Sequence, residues 1–66
     1  MNIIRRARDI LKKDIGEKHK QFYVKSIKRN KGELEVHFIN KDMFILGSEF
    51  FVVMKKDGTH EIFGGE

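Results

Sequence analysis

Only one stretch of this chain repeats with helical period, and it lies at the start. Ile3, Ile4, Ala7, Ile10, Leu11 and Ile15 recur at the i, i+3, i+4, i+7 spacing that puts apolar side chains on one stripe of a helix. Arg5, Arg6, Arg8, Asp9, Lys12 and Lys13 fall on the other side. The spacing predicts a helix between Asn2, whose side chain suits the N-cap, and Gly16, which suits a left-handed exit. Arg5–Asp9 and Asp9–Lys13 are i,i+4 pairs worth a few tenths of a kcal/mol each. Lys12 and Lys13 complement the negative end of the helix dipole. Everything after this segment must therefore be organised around a single helix.

Beyond Gly16 the apolar residues take the two-residue period of strands. "FYVKSIK" and "ELEVHFIN" flank "RNKG" and predict a hairpin, with "EKHKQ" before them as a polar connector. Setting Lys28 opposite Glu33 pairs Ile27 with Leu34, Lys25 with Val36 and Tyr23 with Phe38. One face then carries Tyr23, Ile27, Leu34, Val36 and Phe38. The other carries Ser26, Lys28, Glu33, Glu35 and His37, with Phe22, Val24 and Ile39 at the far end. A one-residue slip would mix apolar and charged residues on each face, so a loop of two or four residues is expected. Residues 40–48 ("NKDMFILGS") predict a loop, with a short extended piece at 43–46 left open and a turn or bulge at Gly47-Ser48. "EFFVVMKK" and "THEIFGG" are joined by Asp57-Gly58, a strong hairpin signal because a type I′ turn needs φ > 0 at both central positions. A two-residue turn there pairs Lys56 with Thr59, Met54 with Glu61, Val53 with Ile62 and Val52 with Phe63.

The predicted fold is α+β: one domain, residues 1–66, with the N-terminal amphipathic helix packed on a curved four-stranded antiparallel meander. The second hairpin is apolar on both faces, with Phe51, Val53 and Ile62 on one and Phe50, Val52, Met54 and Phe63 on the other. One helix cannot cover both. Phe50, Val52, Met54 and Phe63 are accordingly the expected protein interface, toward a protein partner or a second copy.

Sixty-six residues without Cys leave little else to brace the fold. A chain of this size buries only about 60% of its unfolded surface. No disulfide or thiolate metal site is available, and core packing, a partner or self-association must supply the stability. No run of apolar residues approaches a membrane span. The N-terminus lacks a signal-peptide core and, though Arg-rich like a transit peptide, carries Asp9 and Asp14. A cytoplasmic location is the expectation, with no membrane partner.

Charge is unevenly spread. Residues 1–32 hold eleven Lys/Arg against Asp9, Asp14 and Glu17, a net of +8; residues 33–66 hold three lysines against seven acids, a net of −4. Arg5, Arg6, Lys12, Lys13, Lys18, Lys20, Lys25, Lys28 and Arg29 form a candidate basic patch for an anionic partner. Phe22 and Tyr23 lie among lysines in "KHKQFYVK", where an exposed aromatic would stack on a base. No RNP, KH or zinc-finger pattern accompanies them. The α-β-β-β order resembles the opening of double-stranded RNA-binding domains, but without their closing helix.

Catalytic patterns are missing. His19, His37 and His60 have no metal-ligand spacing, and Ser26 and Ser48 have no paired base. Glu33 and Glu35 stand on one strand face near Lys28, as a charge-paired solvent face does. The terminal "GGE" lacks the lysine and following helix of a phosphate loop. The expectation is no enzyme, no cofactor, no metal and no small-molecule substrate.

Gly47, the strand Phe50 to Val53, the turn Lys56-Asp57-Gly58 and the strand from Ile62 to Gly65 together resemble the closing hairpin of small cystatin-like domains. These include PepSY-type modules and the NTF2-like immunity proteins of bacterial toxin systems. "KGELEVHF" is similar too, with Leu34 where such families often place Trp. The resemblance implies a helix cradled by a curved sheet, no catalytic residues, and action by binding protein. The function expected is thus that of a small bacterial or phage protein-binding domain, in its sharpest form an immunity protein or inhibitor that occupies a partner's surface. The alternative is a basic nucleic-acid-binding module using the helix and first hairpin.

Overall fold

The structure is a computed structural model that describes residues 2–42 and 49–64. Helix α1 (Ile3–Ile15) leads through a 3₁₀ turn (Gly16–Gln21) into β1 (Phe22–Asn30), β2 (Glu33–Asn40), β3 (Glu49–Met54) and β4 (His60–Gly64). The strands form one antiparallel sheet in the order β1-β2-β3-β4. This is the α+β meander that the period change after Gly16 predicts. Of the predicted loop at 40–48, Asn40 ends β2, while the open piece at 43–46 and the turn at Gly47-Ser48 lie outside the described residues, as does Gly65.

Both ends of α1 are closed as their residues predict. The Asn2 side-chain oxygen accepts from the Arg5 N–H at 3.2 Å. Gly16, at φ +71°, donates its N–H to the Lys12 carbonyl. The connector tightens into 3₁₀ geometry rather than staying irregular. An exposed Glu17–Lys20 pair at 3.0 Å spans that turn.

Ala7 and Leu11 are fully buried and meet Phe22, Val36, Phe38, Val52 and Met54 from the sheet. Ile3, Ile10, Ile15, Val24, Leu34, Phe50 and Ile62 close the margins of this core. Phe22 and Phe50 pack edge to face at 5.1 Å between centroids. Ile4 stands at the edge of the helical stripe, 41% exposed. Thirteen helical residues cover about 20 Å, whereas nine strand residues of β1 extend about 30 Å. The hairpin end of β1 therefore projects past the helix, and Ile27 is exposed although it faces inward.

The first hairpin corrects the predicted register. Its loop is the two-residue Lys31-Gly32, with φ of +50° and +82°, so Asn30 pairs Glu33 and Lys28 pairs Glu35 rather than Glu33. Two positive φ values give the I′-type turn that matches the twist of the flanking strands. Ile27 faces Val36, on the same side as predicted. A bulge between Val24 and Ser26 then reverses the alternation along β1. Phe22 and Val24 turn toward the helix, and Tyr23, predicted inside, turns out.

The second hairpin departs from its predicted register as well, by one residue where the first departs by two. Its loop has three residues, Lys56-Asp57-Gly58, closed by Lys55 N–H to Thr59 carbonyl at 2.8 Å and Gly58 N–H to Lys55 carbonyl at 3.1 Å. The Asp57 carboxylate accepts from the Thr59 N–H at 2.9 Å and hydroxyl at 2.6 Å. That local capping holds Asp57 at negative φ and leaves the left-handed position to Gly58 alone, at +92°. Met54 consequently pairs His60, Val52 pairs Ile62 and Phe51 pairs Phe63. The predicted face of Phe50, Val52, Met54 and Phe63 does not exist as one surface. The first three face the helix, and Phe63 faces the other way.

Replacing Leu11 by Ala is expected to cost about 2–4 kcal/mol, because α1 itself contributes no other side chain of that size at zero exposure. Ile4→Ala should cost well under 1 kcal/mol, as a margin position does. Urea unfolding of the two variants measures both; equal losses would show that α1 docks along a different stripe.

Candidate interaction surface

The sheet has a second face that α1 never touches. Reading across the strands, Tyr23 lies opposite Ile39 and Glu49; Ser26 opposite His37, Phe51 and Phe63; Lys28 opposite Glu35, Val53 and Glu61. Opposite residues of antiparallel neighbours share a face, so these rows map one surface. Tyr23 and Phe63 are 46% and 51% exposed; Phe51, opposite Phe63, and Val53, in the next row, are half-buried. Ile39 belongs to this side and is nonetheless buried, outside the helix-facing cluster.

His37 stacks flat on Phe51, with centroids 4.2 Å apart and planes 10° from parallel. Its Nε2 lies 3.3 Å from a Glu49 carboxylate oxygen, within ion-pair range for a protonated ring but off hydrogen-bond directions. Beside this apolar strip a concavity of about 360 Å³ opens, bounded among others by Lys28, Glu33, Glu35, Lys55, Glu61 and Phe63. The Lys55 ammonium sits 2.5 Å from a Glu61 oxygen. That hydrogen bond, with the Glu61 charge, holds the Lys55 pKa above the ordinary lysine value. The face thus carries Glu33, Glu35, Glu49 and Glu61 against Lys28 and the Lys55 already held by Glu61.

The predicted basic residues do not gather here. Arg5, Arg6, Lys12 and Lys13 lie on the solvent side of α1, together with Asp9 and Asp14, and Lys18 and Lys20 lie on the 3₁₀ turn. Along β1 the pleat sends Lys28 to the outer face and Arg29 to the helix side, with Lys25 at the bulge. Arg8, read from sequence as one of the cationic solvent residues, turns inward. Its guanidinium donates to the carbonyls of His19 and Phe22, both at 3.0 Å, and stands 5.4 Å from the centroid of the buried Phe38 ring. It ties the helix to the 3₁₀ turn and the start of β1. Phe22, considered as a base-stacking aromatic, is buried in the core.

Among the described residues no three His, Asp or Glu side chains gather as a metal site, and no helix is long and apolar enough to cross a membrane. The sequence signals for the outer face were present but indirect. Asp-Gly-Thr permits the three-residue capped turn as readily as the two-residue one, and that choice decides where Phe63 points. No protein-family model, no curated protein and no solved structure matches the chain.

Arg8→Ala should destabilise the fold by about 2 kcal/mol, since two carbonyls lose a charged donor. Arg8→Lys should recover only part of this, because an ammonium lacks the planar fork that reaches both acceptors. Full recovery in chemical denaturation would reduce the role of Arg8 to its charge.

Asp57 is held below its ordinary pKa by the Thr59 hydroxyl and N–H. A carboxyl depressed in the folded state contributes stability above its unfolded value, about 3.9, and that contribution is lost as pH falls through the lower folded value. The stability difference between the wild type and Asp57→Asn should therefore shrink as pH drops below about 4. Urea midpoints measured across the acid range test this; a difference that does not change with pH would disprove it.

Proposed function

We propose that this chain is a small non-catalytic protein-binding domain that works through the outer face of its sheet, as an immunity protein or inhibitor does by occupying a partner's surface. The observation that carries the reading is the exposure of aromatic side chains on that face. Phe63 stands about half exposed opposite Phe51, and Tyr23 about half exposed on the far edge strand, while helix α1 is spent on the opposite face. Exposed aromatics around a half-buried apolar centre are what protein interfaces enrich. The Phe51–His37 stack and the cross-strand rows hold these side chains on a rigid platform, which lowers the entropy lost on binding.

A nucleic-acid module is the second reading, and the solvent side of α1 supports it with Arg5, Arg6, Lys12 and Lys13. A second copy of the chain is the remaining occupant for the sheet face.

Surface variants separate these. Phe63→Ser should leave the circular dichroism spectrum intact and abolish co-purification of a stoichiometric host protein, whereas Arg5→Glu with Lys12→Glu should not. Binding of single- or double-stranded oligonucleotides that weakens steeply with salt and vanishes in the Arg5/Lys12 variant would replace this reading by the nucleic-acid one. Dimer formation lost in Phe63→Ser, seen by light scattering, would assign the face to self-association.

A further inference from the structure

Granting that the outer sheet face is the binding surface, we propose that it takes a cationic protein segment, with arginines set beside an aliphatic or aromatic side chain. The apolar strip and the carboxylates are neighbours on this face. Phe63 bounds the same concavity as Glu33, Glu35 and Glu61. Glu35 and Glu61 flank Val53 in one cross-strand row, about 10 Å apart at two strand spacings. Glu33 lies two residues from Glu35 on the same face of β2, about 7 Å away. Carboxylates at these spacings lie within about one Debye length of each other, so their potentials add over the concavity. Lys28 offsets one of them and Lys55, paired with Glu61, a second, so that with Glu49 the four carboxylates leave the face at a net of −2.

This charge decides among occupants. A nucleic-acid phosphate or an acidic protein surface would meet Glu33, Glu35, Glu49 and Glu61 and be repelled. A second copy docked face to face would bring the same four carboxylates against their own copies. A basic partner gains where these lose. Arginine fits better than lysine, because a guanidinium bonds a carboxylate through two N–H groups and stacks flat on an aromatic ring at the same time. The exposed Phe63 ring, two residues from Glu61 on the same face of β4, offers both. The partner's apolar side chain then rests on the strip of Phe51 and Phe63, which provides the buried area that ion pairs at a wet rim do not.

Selection of a displayed random-peptide library on the immobilised full chain tests this, with the winners remade as synthetic peptides. Enriched peptides should carry Arg beside an aliphatic or aromatic residue and lose binding to Phe63→Ser. The Glu33→Gln/Glu61→Gln double variant should bind them about three- to tenfold more weakly, and with a shallower salt dependence. Neutral or acidic winners that still require Phe63 would overturn the cationic partner and leave the binding face standing. Winners indifferent to Phe63→Ser, or no enrichment at all, would overturn both. Growth of the free chain into larger species at low salt, by light scattering, would overturn the proposal in favour of its own basic helix as the occupant.

Discussion

The structure depends on one packing relation: a single short helix laid across one face of a four-stranded sheet. Leu11 and Ala7 seat that helix on Val36, Phe38, Val52 and Met54, and Arg8 pins it to the carbonyls that lead into β1. A sheet has two faces, and α1 covers one. Whatever apolar residues the strands turn outward are left for something else to cover. The outer face of Tyr23, Phe51, Val53 and Phe63 results from that shortage, not from any local peculiarity of those residues.

Two small backbone events distribute the side chains between the faces. The bulge at Lys25 exchanges Phe22 and Val24 for Tyr23 on the helix side. The Asp57–Thr59 capping bonds lengthen the second turn to three residues and carry Phe63 outward while bringing Ile62 in. Both changes improve the helix-facing core: the bulge brings Phe22 to an edge-to-face contact with Phe50, and the longer turn seats Ile62 beside Val52. The outer face inherits the aromatics that remain. Charge obeys the same partition. The helix shows arginine and lysine to solvent, and the outer sheet shows mainly glutamate, so the molecule is polar across its thickness.

The helix, its Asn2 and Gly16 ends, the strand order and the even length of the first loop are legible in the sequence because each is written in neighbouring residues, although two residues rather than four form that loop. Periodicity near 3.6, a cap side chain and a Lys-Gly turn act within a few positions of themselves. The candidate interface was legible only in kind. A doubly apolar second hairpin announces an uncovered face, but which residues lie there depends on the pairing of β3 with β2, which turns Phe50, Val52 and Met54 to the helix, and on the turn length, which turns Phe63 away. The basic residues show the same limit. Their count is visible in the chain, while their separation onto α1, the 3₁₀ turn and opposite sides of β1 depends on how the strands pleat.

By itself, then, the sequence determined the helix and its ends, the strands and their order, and the presence of more apolar strand surface than one helix can cover. Only the tertiary structure decided which residues form the outer face. The reason is the period of two. One bulged residue, or one residue more in a turn, inverts every side chain beyond it. Such choices differ little in local energy, and the packing of Phe22, Phe50 and Ile62 against the rest of the core selects between them.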